Sequence, residues 1–139
     1  MKKMLTISAF VLSTSLVFAQ GPLGVAFVEA PEQSSGMCFA DNADYGFACA
    51  RQKCMANGTL KADCLRVRWC YPAGWSADMF LQHKEGLHWH QYLCGWSSRE
   101  DIETAANLIC EGSQKKWLIE CTMVRLWNPN GTEIRTTTD

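Results

Sequence analysis

The chain has 139 residues and carries 13 Lys and Arg against 14 Asp and Glu, a formal charge of −1. That length suits one compact domain and argues against a two-domain enzyme. Without Lys2 and Lys3 the balance is eleven basic to fourteen acidic residues, and the bases are scattered among acids, so no surplus remains to drive binding to nucleic acid or to a membrane surface.

The first 19 residues have the layout of an export signal. Lys2-Lys3 forms a positive start, Met4 to Phe18 is apolar apart from threonine and serine, and Val17-Phe18-Ala19 offers a small-residue cleavage site before Gln20. The apolar run is shorter than the roughly 18 to 20 residues that cross a bilayer, so cleavage after Ala19 is expected rather than anchoring. The short, two-lysine signal looks bacterial and predicts a periplasmic or secreted protein. All eight cysteines (38, 49, 54, 64, 70, 94, 110 and 121) follow it. An even set in an oxidising compartment predicts a disulfide framework, and the absence of any C-x2-C pair argues against a zinc ribbon or a thioredoxin-like centre.

The cysteine spacings disclose an internal repeat. Cys38 to Cys54 and Cys94 to Cys110 are both 16 residues apart, and the next steps, to Cys64 and Cys121, are 10 and 11 residues. Copy one, about 24–70, opens with loose strand signals at Leu23–Glu29 and Met37–Ala40. Ala43, Phe47, Ala50 and Cys54 then fall on one helical stripe, capped by Asp41 or Asn42, and Cys64–Cys70 reads as a strand. A linker at 71–76 leads into copy two, about 77–127. There Asp78–His83 and Leu87–Cys94 flank a three-residue hairpin loop, Lys84-Glu85-Gly86. Ile102, Ala105, Ala106, Ile109 and Cys110 form the second helical stripe, with Ser97 and Glu100 at capping-box spacing, and Leu118–Trp127 is the last strand. Residues 128–139 read as a polar, mobile tail. The predicted fold is α+β: two tandem β-β-α-β repeats whose antiparallel strands pack on two helices and bury Trp69, Trp117 and Trp127.

Equivalence between copies suggests the pairing. Cys54–Cys64 and Cys110–Cys121 would tie each helix end to the next strand; Cys49–Cys70 would join the two cysteines found only in copy one; Cys38–Cys94 would clamp the halves. Candidate ligand-binding residues are few. His88 and His90 share a strand face and could hold zinc or copper, whereas His83 should point away. Trp75, Trp89 and Trp96 stand in the linker or beside the histidines, where aromatic side chains are less readily explained by a core. No nucleophile elbow is present, and the acidic pairs sit in first helical turns, where the helix dipole accounts for them.

The cysteine rhythm, the alanines of both helices (Ala48 and Ala50, Ala105 and Ala106) and the Val-Arg pairs after Cys64 and Cys121 resemble a loose family of exported bacterial cysteine-rich domains of unknown function built from two helix-plus-strand copies. The resemblance spans about Gly24 to Trp127 and implies export and binding without an established reaction. The expected function is that of a non-enzymatic protein-binding module in the cell envelope, such as an inhibitor, immunity or accessory protein, with no cofactor. The alternatives are a zinc or copper binder through His88 and His90, and a small glycan-binding or glycan-cleaving domain.

Overall fold

The computed structural model describes residues 21–134; the expected signal at 1–19 and the last five residues of the chain lie outside them. The elements run β1 (Gly24–Ala30), β2 (Ser34–Ala40), α1 (Ala43–Met55), β3 (Leu65–Cys70), β4 (Trp75–His83), β5 (His88–Trp96), α2 (Arg99–Glu111), β6 (Leu118–Trp127) and β7 (Glu133–Ile134), with a 3₁₀ turn at Lys115–Trp117. This is an α+β fold with two antiparallel sheets, ordered β2-β1-β3 and β5-β4-β6-β7. The strand-strand-helix-strand order and its sheet arrangement occur twice, with β7 added to the second.

Strand alternation decides how the layers stack. On the outer face of the first sheet Ala26, Val28, Ala30 and Cys38 pack against Phe47, Ala50 and Cys54 of α1. On the outer face of the second, Ala77, Met79, Leu81, Leu93 and Leu126 pack against Ile102 and Ala106 of α2. The inner faces then meet each other: Val25 and Phe27 lie against Tyr92, Trp127 and the linker residue Ala73. The order through the molecule is helix, sheet, sheet, helix. β1 has apolar neighbours on both sides, which is why Val25 to Val28 form an unbroken buried run instead of an alternating one.

Each helix starts on a polar cap. The Asn42 side chain accepts from the Tyr45 N–H, and the Ser98 side chain accepts from the Asp101 N–H, one position later than the Ser97–Glu100 spacing suggested. α1 lies so close to β2 that a Cβ on Gly36 would stand 1.9 Å from the Ala50 carbonyl oxygen. The linker is shorter than expected, Tyr71 to Gly74. Gly74 has φ +54 and presses on the Trp96 backbone, a conformation and a distance that both require glycine.

The disulfides are Cys38–Cys49, Cys54–Cys64, Cys70–Cys94 and Cys110–Cys121. The two bridges from helix end to following strand form as the spacing suggested, each closing a loop that contributes about 2 to 3 kcal/mol in the chain-entropy picture. The other two pairings differ from those expected, for a reason of register. Cys38 is the strand partner of Ala26, so its side chain faces α1 and meets Cys49 instead of crossing to Cys94. Cys70 is the partner of Val25 on the inner face and therefore reaches Cys94 on the opposing sheet instead of Cys49.

Two further expectations are corrected. The tail is structured as far as Ile134, because the Asn128 side chain accepts from the N–H groups of Asn130 and Thr132 and turns the chain back, so that Glu133 and Ile134 pair with Trp127 and Leu126. Trp127 is buried and Trp69 half-buried against Phe47, but Trp117 is 52% exposed, because its 3₁₀ turn precedes β6 and lies outside both cores. Since the Gly36 contact is with backbone on both sides, Gly36→Ala should destabilise the protein by about 3 kcal/mol in urea unfolding, while Gly21→Ala, with open space around it, should leave the midpoint unchanged.

Candidate functional site

The seam between the sheets is apolar along most of its length and becomes polar at one end. Inner-face alternation along β1 runs Val25, Phe27, Glu29, and Ser35 of β2 is the strand partner of Glu29. In the second sheet the same side carries Asp78 and Phe80 of β4 with their partners Tyr92 and His90 of β5, then Gln82 opposite His88. Two strands from different sheets thereby bring two carboxylates and an imidazole together.

Asp78 is 4% exposed, flanked across the strands by Tyr92 and Arg125. Its Oδ1 lies 2.6 Å from His90 Nδ1. A carboxylate only accepts, so Nδ1–H is the donor and the ring orientation is fixed, leaving Nε2 for another contact. The hydrogen bond to Asp78 raises the His90 pKa above its ordinary 6.5 against the opposing effect of burial, and the charges of Asp78 and Glu29 add to the rise. Burial likewise pushes the Glu29 carboxyl above its usual range; the His90 charge opposes the rise and Asp78 reinforces it. The Tyr92 hydroxyl is buried and is held protonated by desolvation first and by the charges of Asp78 and Glu29 in addition.

Around this trio the rings form a column. Phe27 stacks on Tyr92 with centroids 4.7 Å apart, Tyr92 stacks on His90 at 6.1 Å, and Phe80 packs against His90 at 5.6 Å and His88 at 5.7 Å. Beside the column an open cleft of about 180 Å³ is lined by Glu29, Glu32, Ser35, Phe80, His88 and His90, among others. Glu32, in the β1–β2 turn, has φ 58, a left-handed conformation uncommon for a residue with a side chain.

His88 and His90 do share a face, as the strand period requires, with Phe80 packed against both rings. Among the described residues no group of three His, Cys, Asp or Glu side chains is gathered as a metal cage. His83 stands apart, at the strand end, where Nδ1 accepts from the Glu85 N–H and the ring stacks on Trp117. The three tryptophans do not make one surface. Trp75 and Trp96 are strand partners at the linker end of the β4–β5 hairpin, whereas Trp89 is near its turn, packed against the α2-side core and bordering the cleft. All eight cysteines are bridged.

Sequence reading missed Glu29 and Asp78. The signal for Asp78 was present: a three-residue loop that sets His83 opposite Leu87 also sets Asp78 opposite Tyr92, diagonal to His90. Glu29 carried no such signal, because its proximity depends on which sheet faces cover each other. Comparison of the chain with protein-family models, with curated proteins and with solved structures finds no match in any of the three. Asp78→Asn should therefore shift the His90 titration, followed by NMR of the imidazole, to a lower pH than in the native protein, toward 6.5; an unchanged midpoint would show that the 2.6 Å contact does not set it.

Proposed function

We propose that the protein is an exported, non-enzymatic binding module of the bacterial envelope or medium, and that it engages a protein partner through the cleft beside Glu29, Asp78 and His90. The observation that carries this reading is a buried carboxylate, Asp78, bonded to the part-buried imidazole of His90 where the apolar seam opens into the cleft. Burying such groups opposes folding, and an apolar pair of similar size would pack there at no such cost. Perturbed titratable groups beside a cleft are the kind of cluster that functional sites use. The setting agrees: four disulfides fit an oxidising compartment, and among the described residues no helix is long and apolar enough to cross a membrane.

A photo-crosslinking residue at Glu32, on the rim of the cleft, should capture a discrete partner in intact cells, whereas the same residue at the remote, exposed Leu108 should not. His90→Gln should reduce the Glu32 adduct at least about tenfold, equivalent to about 1.4 kcal/mol. Equal adducts from both positions, or none from either, would count against the cleft.

One feature supports a second reading, zinc or copper binding by His88 and His90. The Asp78 contact to Nδ1 is the kind of carboxylate support that orients histidine for a metal at Nε2. Calorimetry with zinc and copper separates the two readings: binding that disappears in the His88→Ala, His90→Ala double variant favours the metal, and no heat in the native protein removes that reading.

A further inference from the structure

The tripeptide Asn-Gly-Thr occurs twice, at Asn57-Gly58-Thr59 and at Asn130-Gly131-Thr132. Asparagine followed by glycine is the pairing in which a backbone nitrogen most readily reaches the preceding side-chain amide, because glycine has no Cβ to obstruct the approach. The fold gives the two copies different surroundings. Asn57 and Gly58 are exposed just beyond the end of α1; Gly58 has φ +91, and a Cβ built on it would meet nothing within 4 Å. The Gly58 N–H donates to the Met55 carbonyl at 3.0 Å, a bond at a helix end, where opening is easiest. Asn130 and Gly131 are instead held inside a closed turn. The Asn128 side chain accepts from the Asn130 and Thr132 N–H groups, the Asn128 carbonyl accepts from the Gly131 N–H at 2.9 Å, and the Asn128 N–H donates to the Thr132 carbonyl. Gly131 also stands against the Phe39 ring.

We infer that Asn57 is a site of spontaneous modification, converting to aspartate and isoaspartate by intramolecular attack, and that the native fold protects the same tripeptide at Asn130. In the first step the Gly58 nitrogen attacks Asn57 Cγ: the N–Cγ bond forms, the Cγ–Nδ2 bond breaks, and the amide departs as ammonia with the proton from Gly58. The product is a cyclic imide. Solvent water then opens it, delivering hydroxyl to a carbonyl carbon and hydrogen to the Gly58 nitrogen. Opening at Cγ gives aspartate, and opening at the main-chain carbonyl gives isoaspartate, with the backbone routed through Cγ. No oxidation or reduction takes place; amide and water become carboxylate and ammonium. The inference goes beyond the binding reading and does not depend on it, since the reaction requires no ligand.

The surroundings of Asn57 determine what the change does. Cys54 and Cys64 are bridged, so the altered residue stays inside a closed loop and the chain keeps its place in the fold. The new carboxylate stands just past the C-terminal end of α1, the end of a helix where negative charge is unfavourable. Thr59 follows Gly58 directly, and its hydroxyl lies 2.8 Å from that of Ser34, which donates to the Cys54 carbonyl and lines the cleft. Isoaspartate lengthens the backbone just before Thr59, so the modification reaches the wall of the cleft through the Thr59–Ser34 hydrogen bond.

Incubation of the oxidised full chain in warm, mildly alkaline buffer, followed by peptide mapping that separates asparagine, aspartate and isoaspartate forms, tests this. Conversion at Asn57 should outpace conversion at Asn130 at least about tenfold, the ratio expected when several turn hydrogen bonds must open together before Asn130 can react. In the reduced, alkylated chain kept unfolded in urea, the two tripeptides should convert at similar rates, because only the fold distinguishes them. Asn57→Gln should remove the fast conversion from the native protein. In the converted protein the amide NMR signal of Ser34 should move while that of Gly131 stays in place. Equal conversion of the two sites in the native protein would overturn the inference. So would faster conversion at Asn130, or an Asn57 that persists in the native protein while it converts in the unfolded chain. A Ser34 signal that does not move would overturn the connection to the cleft.

Discussion

The contact of Phe27 with Tyr92, rings stacked 4.7 Å apart between two sheets, is the interaction on which the rest of the structure depends. Each half of the chain is one helix laid on one small sheet, a layer pair with too little apolar surface to be stable by itself. Covering each helix-packed sheet with the other removes a second face from water, and β1 becomes a strand buried on both sides. The repeated strand-strand-helix-strand order is thus a physical necessity as well as a pattern: two incomplete layer pairs complete one another. Disulfides reinforce this economy, since three of the four lie within a single half and secure helix to sheet before the halves are considered.

The same seam produces the site. On β1 the inner face runs Val25 and Phe27 and then Glu29, and on β4 the buried Ser76 and Asp78 precede Phe80, so polar groups take positions that core side chains would otherwise fill. At that point the column of rings continues through His90, Phe80 and His88, so packing and charge share one surface. The imidazole is suited to this double task, presenting a flat apolar face to Tyr92 and a donor to Asp78. A compact arrangement of this type is sensitive to small changes, because neither the rings nor the charges can move without disturbing the other.

Much of this was legible in the residues. Helical stripes, the glycine-containing hairpin loop and the cysteine rhythm placed both helices, the β4–β5 hairpin and two of the bridges, because each depends on neighbours close in sequence. The remaining bridges depend on side-chain direction. Counterpart positions in a repeat, Cys38 and Cys94, look like partners until the strand period is applied: Cys38 points at its helix, whereas Cys94 points into the seam. β2 begins at Ser34 instead of Met37 because pairing with β1 extends the strand through Ser34-Ser35-Gly36, residues of poor strand propensity carried by tertiary contact. Asn128 shows the converse, a polar residue that reads as a free tail but makes a turn with its own side chain. Glu29 could not be found at all without knowing that the two sheets lie face to face.

The remaining bridge, Cys70–Cys94, has a mechanical consequence. It crosses the seam immediately before the four-residue linker, where the buried Ala73 donates to the Leu23 carbonyl and accepts from the Gly95 N–H, knitting both sheets together at that point. Cys70 is opposite Val25, at the start of β1, and Glu29 is near its finish. Every covalent tie between the halves is therefore gathered along one edge, like the spine of a book, and the ionisable residues lie along the opposite margin. Any opening about such a spine would separate the two sheets least at Cys70 and most at the end that carries Glu29. Side chains at that margin lie farthest along β1 from the bridge that joins the two sheets.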